Sequence, residues 1–184
     1  MPTLSVGNDI VFHYTDSGPI EKTEYSTLVL IHGLTFHTGM YYYVICISQG
    51  PSLIYTRSPG TFKRIPPLAS SHSLRVICLS SREYEGSTPY SADELKTIYH
   101  GSDIERANFL HSQGILVALF VDGLIQSLSL PKAGGVTVAG WSLGNIFSIA
   151  MRASIDDLPD NTKQRLKTYT RGFIIFGLSF HCSS

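Results

Sequence analysis

The sequence predicts an α/β fold built on a doubly wound, mostly parallel sheet with flanking helices. Four short apolar runs lack the alternation of a half-buried strand, and such runs are typical of strands covered on both faces; they are residues 27–31, 75–79, 135–140 and 172–177. Helical patterns lie between these runs, and this alternation is typical of parallel strands joined by right-handed crossovers. The length of 184 residues fits a single domain.

The chain opens with a predicted hairpin that precedes the parallel strands. Residues 4–6 and 10–14 are short and rich in β-formers, and Gly7-Asn8-Asp9 between them is a good turn sequence. An antiparallel pair of this kind can extend one side of a parallel sheet.

The predicted helices are marked by their boundaries. Two capping boxes begin helices after the second apolar run: Ser91 with Glu94, and Ser102 with Glu105. The second box opens a long apolar helix over 104–128 that we expect to bend near Gly114, with one buried face formed by Val117, Phe120, Val121, Leu124, Ile125 and Leu128. A further helix is expected over 145–158, ended by Pro159, and a short one capped by Asn161 and running to Leu166.

Residues 40–60 interrupt this pattern. The segment is rich in tyrosine, serine and proline, and the sequence before it, ending at Gly39, would continue naturally into a loop and short helix over 61–69. Two interpretations stay open: a surface loop or lid inserted into the domain, or translated intron sequence.

The composition excludes several functional classes. The apolar fraction of 43% and formal net charge of zero exclude a disordered chain and disfavour a nucleic-acid partner, which a strongly basic protein would be expected to bind. Three scattered cysteines provide no disulfide framework, and without a Cys-x-x-Cys pair we expect no metal site. We also expect no cofactor, no membrane span and no signal peptide, and therefore a cytoplasmic protein whose oligomeric state is not predicted.

The motif that carries chemistry is Gly140-Trp141-Ser142-Leu143-Gly144. It lies between the third apolar run and a predicted helix, as a nucleophile elbow requires. The glycines leave room for a turn that presents the Ser142 hydroxyl at the carboxyl end of the sheet. The Leu143 N–H would then be one donor of an oxyanion hole, beside the positive end of the helix.

A second motif, His32-Gly33-Leu34, follows the first buried strand. The Leu34 N–H is the candidate for the other oxyanion donor, and Gly33 lets the backbone approach closely. We interpret His32 as structural, holding this loop through hydrogen bonds rather than taking part in chemistry.

Three segments together resemble the α/β-hydrolase superfamily: residues 28–39, 75–88 and 136–145. The resemblance implies a serine hydrolase that acts on an ester or amide bond of a small molecule through an acyl-enzyme. Members that act on epoxides and haloalkanes use an aspartate nucleophile, so Ser142 argues against those substrates. In the middle segment Ser81-Arg82 stands where the family usually has Asp-Arg or Asn-Arg.

The family's catalytic triad requires an acid and a histidine after the serine. The only candidates after Ser142 are Asp156, Asp157, Asp160 and His181. The aspartates are expected on or just past the helix after the elbow, and we interpret His181 as accidental. We therefore expect an incomplete fold lacking its C-terminal strands, with little activity as an isolated chain, since removing the base of a serine protease costs on the order of 10⁶ in turnover.

Two alternatives of other classes stay open. In the first, the chain would be a non-catalytic module that binds a small molecule in the retained pocket. In the second, it would be a mis-spliced product without a function of its own.

Overall fold

The computed structural model describes residues 2–7, 9–33, 62 and 64–177. Six strands form one sheet in the order β1-β2-β4-β3-β5-β6. The strands are β1 (Thr3–Ser5), β2 (Val11–Asp16), β3 (Ser26–Ile31), β4 (Leu74–Leu79), β5 (Val136–Trp141) and β6 (Thr170–Phe176). Strands β4, β3, β5 and β6 run parallel, while β1 and β2 join antiparallel. The predicted fold class is confirmed.

The predicted hairpin and all four buried-type strands are present, each within about two residues of its predicted bounds. The interruption at 40–60 lies outside the described residues.

Both faces of the central sheet are covered, which explains the apolar runs without alternation. In β3, Val29 and Ile31 belong to one core cluster, while Leu30 belongs to the other. The larger cluster is formed with three helices, α3 (Asp103–Ser127), α4 (Gly144–Ser154) and α5 (Asp160–Tyr169). The smaller cluster includes Phe62 and the short helix α1 (Pro66–Ala69), which a 3₁₀ turn over Ser70–His72 follows.

Both capping boxes are formed as predicted, at the start of α2 (Ala92–His100) and of α3. The predicted buried face of α3 is largely confirmed, with Phe120 fully buried and packed edge-on against the rings of Phe12 and Tyr14. The helix continues through Gly114, where the missing side chain admits the backbone of Ala150 in α4. This glycine therefore serves helix packing.

Two helix boundaries differ from the prediction. Helix α4 ends at Ser154 and continues as a 3₁₀ turn over Ile155–Asp157. Helix α5 begins at Asp160 with Pro159 in the cap position, so the prediction that Asn161 caps it is wrong. The Pro159 carbonyl accepts the Lys163 N–H, and a missing N–H costs nothing at the start of a helix.

Helix α3 is long and apolar enough to cross a membrane, but half of its most apolar stretch is buried inside the protein. A core helix passes the same test, and the packing of α3 against the sheet and α4 is that of a core helix.

Strand β6 forms an edge of the sheet and pairs only with β5 among the described strands. It is unusually apolar for an edge, with Ile174, Ile175 and Phe176 38–50% exposed. Edge strands of this kind tend to pair with other chains unless a charge interrupts them.

We expect Ile175→Lys to raise the solubility of the chain several-fold, because a lysine on an edge strand opposes strand pairing between molecules. Ile104→Lys is the matched control, since Ile104 is also exposed but lies on α3. Solubility limits and light scattering of the two variants would test this. Equal improvement in both would show that net charge, rather than the β6 edge, controls association.

Candidate active site

Ser142 lies in the two-residue turn between β5 and α4. Its φ is +53°, a left-handed conformation that costs a non-glycine residue roughly 1–3 kcal/mol. The Ser142 N–H donates to the Phe176 carbonyl of β6 at 3.1 Å. The strained turn is thus fastened to the neighbouring strand.

The two glycines of the motif are required by close approaches of the backbone. A Cβ on Gly144 would lie 2.2 Å from the Ile31 carbonyl oxygen, and a Cβ on Gly140 would lie 2.6 Å from the Asn145 Cα. Both distances are far below van der Waals contact, and the atoms involved are backbone atoms, which cannot move as a flexible side chain can. The motif therefore lets α4 begin directly against the ends of β3 and β5.

The end of β3 reaches the elbow at Gly33. A Cβ placed on Gly33 would lie 2.8 Å from the Ser142 Cβ and 3.3 Å from the Ser142 Oγ. The structure thus brings together the two motifs that the sequence placed about 110 residues apart. Leu34, the candidate for the second oxyanion donor, lies outside the described residues.

Leu143 occupies the cap position of α4, and its side chain is partly exposed. Within the described part of the chain, its N–H donates to no acceptor. Because the first N–H groups of a helix point outward with a partial positive charge, this amide is available to an anion or a carbonyl oxygen near Ser142.

Trp141 is partly buried and packs against the smaller core cluster. Its indole also crosses the end of β6, where a Cβ on Gly177 would come 2.4 Å from the Trp141 Nε1. The tryptophan therefore fills the space between the elbow and the end of the edge strand.

His32 is 2% exposed and has both ring nitrogens engaged. Its Nε2 accepts the Ser81 N–H at 3.0 Å, which leaves Nδ1 as the donor to the Gly33 carbonyl at 2.8 Å. The ring joins the loop after β3 to the loop after β4, and neither nitrogen is available to take a proton from Ser142.

Arg82 anchors the loop that follows β4. Its side chain donates to the carbonyls of Thr88 and Pro89, pairs with both carboxylate oxygens of Glu94, and lies 4.5 Å from the centre of the Tyr90 ring. Burial alone would raise the pKa of Glu94, but hydrogen bonds from Arg82 and Ser91 lower it. Buried Arg82 therefore holds the backbone of the loop after β4 in place.

The three acids that follow Ser142 lie along the 3₁₀ turn and at the start of α5, and each is paired with a lysine or histidine side chain. Asp156 pairs with Lys167, Asp157 with His111 at 2.9 Å, and Asp160 with Lys163. Among the described residues, none hydrogen-bonds to the Ser142 hydroxyl. His181 and His37 lie outside the described residues, so no base for Ser142 is identified in the described part of the chain.

Neither a reactive cysteine nor a metal-binding cluster is found in the described ranges. Burial raises the pKa of the Cys78 thiol to about 12, which keeps it protonated at neutral pH. Residues 2–7, 9–33, 62 and 64–177 contain no group of three or more acid, histidine or cysteine side chains placed to hold a metal ion.

Sequence reasoning missed Asn145. It is 1% exposed, and its side-chain amide binds the carbonyls of Ser142 and Phe176. The sequence shows a polar residue directly after the last glycine of the motif. Asparagine is common near the start of a helix, so its presence at this position did not indicate a special role.

No protein-family model matches the chain, and no curated protein matches its sequence. Among solved structures, an epoxide hydrolase from Vigna radiata is similar over 97% of this chain, with 15% identity and a TM-score of 0.50. A bromoperoxidase from Bacillus anthracis is similar over 95% of the chain, with 15% identity and a TM-score of 0.50. Both have the α/β-hydrolase fold, and so does this chain. The chain corresponds to 40% and 43% of their lengths.

We expect Gly144→Ala to destabilise the protein by at least about 2 kcal/mol, because its methyl group would overlap the Ile31 carbonyl. Gly172→Ala is the matched control, since a Cβ there meets nothing within 4 Å and glycine is unfavourable within a strand. Urea unfolding measures both. Equal stability of the two variants would contradict the close approach of α4 to β3.

We also expect stability to fall as the pH drops below 6.5. Burial lowers the pKa of His13 below this ordinary value, while Glu85 opposes the effect. The unfolded chain therefore binds a proton before the folded one does, and stability is lost from pH 6.5 downward. In urea unfolding at several pH values, His13→Gln should flatten this dependence relative to the wild-type chain. An unchanged slope in His13→Gln would contradict the assignment.

Proposed function

We propose that this chain carries the nucleophile half of a serine hydrolase that acts on an ester or amide bond of a small molecule. The observation that supports the proposal most is the left-handed Ser142 in a turn that begins α4 and faces the end of β3. Strain of this kind at a serine is consistent with a nucleophile elbow. The likeness to solved hydrolases supports the fold on which such a site is built.

In the proposed reaction the Ser142 Oγ attacks the carbonyl carbon, and the carbonyl π electrons move onto its oxygen. The Leu143 N–H lies on the next residue and is unpaired in the described structure, so it is the first oxyanion donor. Leu34 is proposed as the second donor, since it follows Gly33 directly. The oxyanion re-forms the carbonyl as the C–O or C–N bond breaks, and the leaving group takes up a proton and departs as the alcohol or amine. Water later releases the acyl group from Ser142 as the carboxylic acid, which restores the serine hydroxyl.

The proton of Ser142 requires a base. The aspartates after the elbow are paired with Lys167, His111 and Lys163, and none of them hydrogen-bonds to the serine hydroxyl. An oxyanion hole without the triad retains about 10³–10⁴-fold catalysis over water in a serine protease. We therefore propose that this chain alone turns over substrates slowly, if a base is not supplied by residues outside the described ranges.

A second candidate is a non-catalytic module that binds a small molecule without activating Ser142. The crevice beside the ends of β3 and β4, which Ile31, Leu79 and Arg82 help to line, has room for about one water molecule. This crevice is too small for such a ligand, so the candidate rests on the fold alone. The third alternative, a product without a function of its own, predicts neither binding nor labelling.

A fluorophosphonate probe separates these candidates. We expect the probe to label the wild-type chain slowly, because no base for Ser142 is identified among the described residues. Fluoride leaves as the Ser142 oxygen bonds to phosphorus, and water takes up the serine proton. We expect Ser142→Ala to abolish labelling. Intact mass spectrometry and peptide mapping identify the modified residue.

Ser148→Ala, a change at a fully buried serine of α4, is the control and should label like wild type. Hydrolysis of an activated short-chain ester, lost in Ser142→Ala alone, would support the hydrolase. Ligand binding without labelling would favour the binding module, and labelling that survives Ser142→Ala would contradict the proposed nucleophile.

A further inference from the structure

We propose that Asn145 is a positioning residue that holds Ser142 in its reactive conformation by joining the elbow to the end of β6. The inference rests on the proposed function of Ser142. It assigns a role to a side chain that makes no hydrogen bond to the serine hydroxyl and binds only backbone groups.

The Asn145 amide group makes three hydrogen bonds within one small region. Its Nδ2 donates to the Ser142 carbonyl at 2.8 Å and to the Phe176 carbonyl at 3.0 Å. Its Oδ1 accepts the Phe176 N–H at 3.3 Å. Each hydrogen of the amide and one lone pair of its oxygen are therefore used.

The orientation of this amide is fixed by its partners. Both carbonyl oxygens can only accept, so the NH₂ group must face them, and the N–H of Phe176 can only donate, so it must face Oδ1. The side chain is 1% exposed, which leaves no water to replace a lost partner. A buried amide satisfied in this way specifies one arrangement of the backbone around it.

These bonds act on the serine itself. The Ser142 carbonyl accepts from both the Nδ2 and the backbone N–H of Asn145, and the Ser142 N–H donates to the same Phe176 carbonyl that Nδ2 binds. The peptide groups on both sides of the Ser142 Cα are therefore restrained. Because φ and ψ of Ser142 are defined by these two groups, the restraint maintains the left-handed conformation that presents the hydroxyl.

An ordinary capping role does not explain the contacts. Asn145 is the second residue of α4, and the cap position is Leu143, which has no side-chain cap hydrogen bond. The asparagine side chain points instead to the adjacent strand. The position is thus used to fasten β6 to the elbow rather than to satisfy the helix end.

Asn145→Asp tests the proposal with almost no change in shape. The carboxylate keeps an acceptor for the Phe176 N–H but faces the carbonyls of Ser142 and Phe176 without a hydrogen to donate. We expect fluorophosphonate labelling of Ser142 to slow about tenfold or more at pH 8, as small displacements of reacting groups do. We expect amide exchange, followed by NMR, to speed up at Ser142 and Phe176.

The pH dependence distinguishes positioning from packing. Protonation returns a donor to the aspartic acid, so the ratio of variant to wild-type labelling should approach one as the pH falls. A side chain that only fills space would give a ratio independent of pH. Ser148→Ala removes a buried hydroxyl that donates to the Asn145 carbonyl and should leave labelling and exchange unchanged. Asn145→Ser is a milder variant that takes the place of Asn145→Asp should the latter not fold.

The outcomes separate the two proposals. If Ser142→Ala and wild type are both unlabelled, the proposed function fails, and faster exchange at Ser142 and Phe176 in the Asn145 variants still decides whether the fastening exists. If the Asn145 variants label and exchange like wild type, or if the defect of Asn145→Asp is the same at every pH, the positioning role is overturned.

Discussion

The fastening of Ser142 to the end of β6 is the constraint on which the candidate site depends. The turn between β5 and α4 allows no side chain at Gly140 or Gly144, because backbone atoms of Asn145 and Ile31 occupy that space. Within so tight a turn Ser142 takes a conformation that it would rarely adopt alone. Hydrogen bonds to the Phe176 carbonyl oppose that strain, so the edge strand helps to hold the elbow in this conformation.

Much of the fold could be predicted because burial on both faces of a strand and capping of a helix leave local patterns in the sequence. The uninterrupted apolar run of β3 reflects two covered faces, with Val29 and Leu30 in different clusters. The capping boxes at Ser91 and Ser102 are local and were readable for that reason. The start of α5 was missed because Pro159 takes the cap position without a side-chain hydrogen bond, so no capping motif marks it in the sequence.

The site was predictable to the extent that it is local. The glycines around Ser142 indicate a tight turn in any context, and the close approach of Gly33 follows from adjacent parallel strands. Arg82 and Asn145 were not predictable in their roles, since their partners are distant or are backbone groups. Glu94 is twelve residues from Arg82, and Phe176 is thirty-one from Asn145. Single-residue patterns contain no information about such pairs.

In the proposed site, the groups that position Ser142 differ from the group that would have to activate it. Positioning depends on the backbone: on the strained turn at Ser142, on the Leu143 N–H and on the start of α4. The pairing of β5 with β3 and β6 sets this backbone geometry. Activation needs a side chain that takes a proton, and His32 cannot supply it because the tautomer that accepts from Ser81 and donates to Gly33 leaves no lone pair. In the proposed reaction the described residues would therefore bind and polarise a carbonyl group, and fast acyl transfer would require a base from elsewhere.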